Sequence, residues 1–348
     1  MKAHILYEAG SLRYEEVPIP HPQAGEVLVQ VKASGICGSD IARIYKTGAH
    51  VSPLIPGHEF SGIVAETGEG TDRAWLGRRV GIFPLIPCRT CAPCRRGQYE
   101  MCRNYSYLGS RRDGGFAEYV TVPEENLLEL PQEVSFEAAA MLEPMAVAVH
   151  AMRRLPRTKR GAVAVCGLGT IGLLILMFLQ EAGLEDVYVI GNKDFQKQST
   201  LLLGVSPERF CDSRTQDAGS FLAERTGGLG VEAFFECVGR NETINLAVAG
   251  TAPGGAVVLV GNPYSSMTFE KDLYWKILRN QLTVTGTWNS SFTNDPDDDW
   301  QHVLARLKEG NIRPESLITH RFPLEELTLG LSIMRDKTED YVKVMALL

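Results

Sequence analysis

The sequence predicts an α/β protein of two domains, one mostly β and one a doubly wound parallel sheet, and three observations carry that prediction. A chain of 348 residues is more than one core comfortably fills, and it divides naturally into two. Its first part reads as short strands broken by glycine and proline, whereas from about Glu143 onward strands alternate with helices. A glycine-rich turn, Gly167-Leu168-Gly169-Thr170-Ile171-Gly172, sits where the first of those later strands meets its helix.

Taken in order, alternating apolar residues mark a strand over 26–32 and a second apolar run marks another over 60–65. The later half offers strands at 162–166, 187–190, 233–236, 256–260 and 282–285, and a long apolar helix over 170–182. Beyond Trp288 an acidic loop (DPDDDW) leads into an amphipathic helix at 300–308, and the tail is expected to rejoin the first domain. The expected boundaries are therefore 1–143 with 289–348 for the first domain and 144–288 for the second.

Charge narrows the function. A net charge of -7 argues against partners that are themselves anionic, such as nucleic acid or a membrane surface, and favours a small-molecule ligand. No apolar run is long enough to cross a bilayer, and the start MKAHILYEAG lacks the apolar stretch of a secretion signal, so a cytoplasmic location is expected. Eight cysteines are too sparse for a disulfide scaffold, and a reducing compartment leaves them as thiols for metal.

Four of them, Cys88, Cys91, Cys94 and Cys102, form C-x2-C-x2-C-x7-C. Four thiolates this close together can close a tetrahedron around one zinc ion with no position left for substrate, which is a structural site. A different donor set comes from Cys37 in GICGSD and His58 in PGHEF, with Glu59 or Glu143 as a third ligand. Three protein ligands leave a fourth position open, where a metal lowers the pKa of a bound hydroxyl. Asp40 is spaced to fix the His58 tautomer, and Ser39 to help carry the alcohol proton away.

The turn at Gly167, Gly169, Thr170, Ile171 and Gly172 follows a strand and opens a helix, the context in which such glycines admit a dinucleotide pyrophosphate to backbone N–H groups. At the end of the second strand, where an NAD-binding domain places a carboxylate on the ribose, the chain reads Gly191-Asn192-Lys193. A missing carboxylate and a nearby lysine favour NADP over NAD; the alternative is that Asp194 binds the ribose. Val260-Gly261-Asn262 and Gly286-Thr287-Trp288, at later strand ends, are the expected nicotinamide walls.

In this order and across essentially the whole chain, these motifs resemble those of the medium-chain zinc dehydrogenases. The resemblance implies a GroES-like catalytic domain, an inserted Rossmann domain, two zinc ions per chain, and a homodimer or homotetramer. It also implies Cys37, His58 and Glu143 as catalytic zinc ligands, with Glu59 beside the metal. A glutamate in Leu142-Glu143-Pro144, with TGAHVSPLIPGHEFSG, YLGSRRDGGFAEY and KILRNQLTVTGTW, is similar to the polyol dehydrogenase branch. That branch transfers a hydride from a secondary hydroxyl of a polyol or polyol phosphate. Arg111 and Arg112 could meet such a phosphate, since guanidinium forks match phosphate oxygens. Two departures stand out: Gly191 replaces the family's strand-end aspartate, and the usual G-D-R-V turn reads Gly77-Arg78-Arg79-Val80. The rival readings are a sorbitol- or threonine-type dehydrogenase on an unphosphorylated substrate, a non-enzymatic dinucleotide-binding relative, and a zinc-free quinone or enone reductase.

Overall fold

A computed structural model describes residues 1–155 and 161–348 of the chain. The chain divides into two compact units, Met1–Pro144 with Ser291–Leu348, and Met145–Ser290.

The first unit is built on a seven-stranded sheet. Its order is Ile318–Pro323, Lys343–Leu347, Glu26–Ile36, Glu59–Thr67, Arg79–Ile82 and Leu127–Glu129, with Tyr119–Pro123 also pairing to Glu26–Ile36. The Glu26–Ile36 strand runs four residues past the alternating stretch visible in the sequence. Ala33 to Ile36 are buried on both faces, which removes the polar-apolar alternation that would have signalled a strand there. It pairs antiparallel with both Glu59–Thr67 and Lys343–Leu347, so Lys343–Leu347 is an interior strand between it and Ile318–Pro323. One core lies between Val27, Val29, Val31, Phe60, Val80 and Val122. A second joins Ile36 and Ile44 to Leu327, Leu331 and Val344 of the tail.

The acidic loop of the tail folds inward. Asp298 caps the Asp299–Lys308 helix by accepting from the Gln301 amide at 2.8 Å, and it also takes the Thr293 and Asn294 amides at 3.0 and 2.9 Å. Asp299 accepts from the Ser291 amide at 2.7 Å. The aspartates thus satisfy backbone donors, while Trp300 beside them packs edge-on to Phe83 and Phe292.

The second unit is a six-stranded parallel sheet. In order across the sheet the strands are Phe210–Asp212, Val187–Gly191, Val163–Cys166, Val231–Glu236, Thr251–Leu259 and Thr283–Gly286, which is 3-2-1-4-5-6 in chain order. That order is the doubly wound Rossmann arrangement, with its switch point beside the first strand. The helix Thr170–Glu181 follows that strand and buries every residue from Gly172 to Leu179. Central strands covered on both faces read as unbroken apolar runs, which is why they were legible in sequence. The Thr283–Gly286 edge is open, and no residue of the neighbouring Lys271–Arg279 helix is buried.

Candidate metal centres and dinucleotide turn

Cys88 and Cys91 precede the 3-10 turn Cys94–Arg96, Cys94 opens it and Cys102 follows the next turn, Tyr99–Met101, and the four sulfurs all come within 4.8 Å of one another. The measured Sγ separations are 3.4 Å for Cys91–Cys94, 3.9 Å for Cys91–Cys102 and 4.0 Å for Cys88–Cys94. A tetrahedron with bonds of ~2.3 Å has edges of about 3.8 Å, so the four sulfurs already stand at zinc-thiolate spacing. Hydrogen bonds from Thr90 pull the Cys88 thiol down to about 5, whereas burial pushes Cys94 up to about 12.

The second group is Cys37, His58 and Glu59, whose ligand atoms also lie within 4.8 Å of one another. Cys37 caps the short Gly38–Ala42 helix, His58 ends the loop before the next strand, and Glu59 begins that strand. Asp40 is fully buried behind them. Its carboxylate accepts the Cys37 amide at 3.0 Å and the Arg43 guanidinium at 2.8 Å, and stands 3.3 Å from His58 Nδ1. Burial alone would raise Asp40, but His58, Arg43 and the Cys37 amide outweigh it and hold the carboxyl below its ordinary range. Burial likewise opposes a charge on His58, and Asp40 reverses that, lifting the imidazole well above its usual value. With Nδ1 facing Asp40, Nε2 is the nitrogen left for a metal. Ser39 stands on the first turn of the same helix, half-buried.

Glu143, in the first turn of Leu142–Arg153, stays outside the group of three. It accepts the Tyr107 hydroxyl at 3.2 Å, and burial, with Glu59 close by, pushes it up to about 7. Tyr107 turns its ring edge to His58, centroids 5.7 Å apart. The geometry therefore brings Glu59 into the ligand group and places Glu143 one hydrogen bond behind Tyr107.

In the second unit the glycine turn leaves the Val163–Cys166 strand with Gly167 at φ 96°, a left-handed conformation that a side chain would strain. No side chain caps the helix that starts at Thr170, and the positive end of a helix attracts an anion. At the end of the second strand, a Cβ on Gly191 would come 2.9 Å from Leu168 Cδ1 and Gln196 Oε1, the tips of two flexible side chains that would have to shift to admit it. Asp194 is held by Arg214 at 2.5 Å, and Arg214 also grips Asp212 at 2.6 Å. Asn192 and Lys193 are exposed, with Lys193 Nζ 5.2 Å over the Phe195 ring. Val260 and Gly261 both donate to the Glu236 carbonyl, at 2.8 and 2.9 Å, and the Thr287 amide donates to Leu259 at 3.1 Å, which fixes the loops at those strand ends.

Two family signatures match the chain, an alcohol dehydrogenase GroES-like domain over residues 23–132 and a zinc-binding dehydrogenase over 170–309. Galactitol 1-phosphate 5-dehydrogenase of Escherichia coli K12 is 34% identical over 331 residues, covering 93% of this chain and 94% of the relative. The chain belongs to the zinc-dependent medium-chain alcohol dehydrogenases. This family member is an oxidoreductase. The crystal structure of the E. coli galactitol-1-phosphate dehydrogenase covers all of both chains with a TM-score of 0.92 at 32% identity. A zinc-binding dehydrogenase from Sinorhizobium meliloti bound to NADP and an alcohol dehydrogenase from E. coli CFT073 complexed with NADH each match at TM-score 0.91 and 28% identity, over 100% of this chain and 99% of theirs.

Two residues of this dehydrogenase escaped the reading of its sequence. Lys343 is 2% exposed, pairs through Nζ with Glu59 and donates to the Ile36 carbonyl at 3.1 Å. Nothing in KVMALL distinguishes it from a surface lysine except its apolar neighbours. Arg214 is separated by twenty residues from the Asp194 it neutralises. Removing one partner of a buried pair leaves the other charge stranded. Lys343→Met is expected to lower stability by about 3–5 kcal/mol, and adding Glu59→Gln to recover much of it. Urea unfolding of the two single variants and the double variant measures the coupling, and additive losses would contradict the pairing.

Proposed function

We propose that this dehydrogenase carries two zinc ions and oxidises a secondary hydroxyl of a polyol or polyol phosphate, in the manner of a galactitol-1-phosphate 5-dehydrogenase. The observation that carries the reading is the donor set of Cys37, His58 and Glu59, in which a carboxylate stands in place of a further thiolate, with a second carboxylate, Glu143, close by. Zinc, when bound, supplies the Lewis acidity that makes a hydroxyl acidic near neutral pH. Cys37, His58 and a glutamate hold it, and Asp40 keeps His58 in one tautomer and orientation. Glu59 is already within the ligand group, and Glu143, behind Tyr107, is the alternative carboxylate. Ser39 helps lead the alcohol proton away. Cys88, Cys91, Cys94 and Cys102 hold the structural zinc.

The dinucleotide serves as hydride acceptor, bound by the Gly167–Gly172 turn, with Val260, Gly261, Asn262, Gly286, Thr287 and Trp288 flanking its nicotinamide. NADP is favoured over NAD. The carboxylate the sequence offers for the ribose, Asp194, is engaged by Arg214, and Lys193 has no carboxylate partner among the described residues. The relatives carry either cofactor, so this choice rests on the residues at the strand end.

The protein is proposed to act as a homodimer, with a homotetramer built from it as the alternative. Support comes from the open Thr283–Gly286 edge and the Lys271–Arg279 helix beside it, which leaves Tyr274, Trp275 and Leu278 at least half exposed. No helix among the described residues is long and apolar enough to cross a membrane. Eight unpaired cysteines suit a cytoplasmic setting.

Elemental analysis is expected to find two zinc equivalents in the wild type and one in Cys94→Ser; unchanged content in the variant would remove the structural site. A panel of free and phosphorylated polyols, run with both dinucleotides, should give its highest kcat/KM with a polyol phosphate and NADP. A tenfold preference for NAD overturns the cofactor choice, and turnover confined to free polyols overturns the phosphate. Sedimentation of Trp275→Glu/Leu278→Glu should show monomers, and an unchanged oligomer would move the interface elsewhere.

A further inference from the structure

Of the two adjacent arginines in SRRDGG, only one is left for a ligand. Arg112 donates to Glu26 at 2.5 Å, and Glu26 is 8% exposed, so that cation holds the start of the Glu26–Ile36 strand. Arg111 has no carboxylate partner among the described residues; its guanidinium lies 4.3 Å over the Tyr105 ring. Its position is tied to the metal-ligating group through the backbone. The Tyr107 carbonyl accepts the amides of Ser110, Arg111 and Arg112 at 3.2, 2.9 and 3.1 Å, closing a tight turn. The side chain of the same Tyr107 donates to Glu143 and faces His58. Tyr105 and Tyr107 meet edge to face at 6.1 Å, so aromatic rings run continuously from His58 to Arg111.

We propose that Arg111 is the specificity-determining residue that receives the phosphate of a phosphorylated polyol, while Arg112 is structural. This rests on the proposed polyol phosphate substrate and goes one step further, to the group that recognises it. A guanidinium presents a planar fork matched to two phosphate oxygens, and stacking on Tyr105 keeps that fork presented without neutralising it. The contact is made to a part of the substrate that does not react, so its loss should fall on KM and leave kcat alone.

The test uses the intact zinc-loaded enzyme at saturating dinucleotide. Arg111→Ala should raise KM for galactitol 1-phosphate about tenfold to a hundredfold, keep kcat within about twofold, and leave KM for galactitol unchanged. Arg111→Lys should recover part of the loss, since it restores charge without the fork. Arg112→Ala should lower thermal stability and shift KM for both substrates alike. An equal KM for galactitol 1-phosphate in wild type and Arg111→Ala overturns the assignment, as does an equal rise for both substrates. Calorimetric titration of inorganic phosphate supplies a readout independent of turnover: wild type should bind it, and Arg111→Ala about tenfold more weakly. A wild type that turns over only free polyols defeats the proposed substrate, and equal phosphate binding by the two proteins then also defeats Arg111.

Discussion

A lysine enclosed beside Cys37, His58 and Glu59 is the constraint around which the first unit is arranged. An ammonium and a carboxylate each 2% exposed have lost nearly all their water, and their mutual attraction offsets that loss only while both are in place. Lys343 and Glu59 are 284 residues apart, on strands separated in the sheet by Glu26–Ile36. The pair exists only because Lys343–Leu347 inserts next to the central strand, with Val344 opposite Ile36. The return of the tail to the first unit is thus more than a covering of apolar surface. It delivers the counter-ion for a carboxylate that would otherwise stand uncompensated beside Cys37 and His58.

Asp40 plays the complementary part on the other side of the same group. Its two oxygens answer two donors, the Cys37 amide and the Arg43 guanidinium, and one of them stands 3.3 Å from His58 Nδ1. All but His58 lie within six residues, on one short helix and its cap, so a single local turn sets the thiol and orients the imidazole. Carboxylates thus flank the thiol and imidazole with separate duties. Asp40 orients, Glu59 stands beside Cys37 and His58 against Lys343, and Glu143 accepts from Tyr107 with a raised affinity for its proton.

That division also explains what could be read from the sequence. The cysteine knuckle, the glycine turn and the Cys37–Asp40 spacing are made by residues a few positions apart, so their geometry is nearly fixed by their spacing. The buried parallel strands were legible for a similar reason, as continuous apolar runs. The end of the Glu26–Ile36 strand was not, because burial on both faces erased its period. Lys343 was invisible because its partner arrives through sheet topology. The relative places of Glu59 and Glu143 were unreadable too: both are glutamates beside plausible ligands, and only the strand register and the Tyr107 hydroxyl tell them apart.

Cations show the same limit in its most useful form. Sequence lists arginines and lysines without saying which charges are already answered. Arg43 is answered by Asp40, Arg112 by Glu26, Arg89 by Glu125, and Arg214 by two aspartates. A cation so committed would have to leave a carboxylate to bind an anionic ligand, and that carboxylate would then repel the ligand. Arg111 and Lys193 instead rest on aromatic rings, which attract a cation without cancelling its charge. One ends the run of rings that starts at His58 in the first unit, and the other follows the Val187–Gly191 strand of the second. An anion at either place meets a full positive charge held in position, and need not displace a carboxylate to reach it.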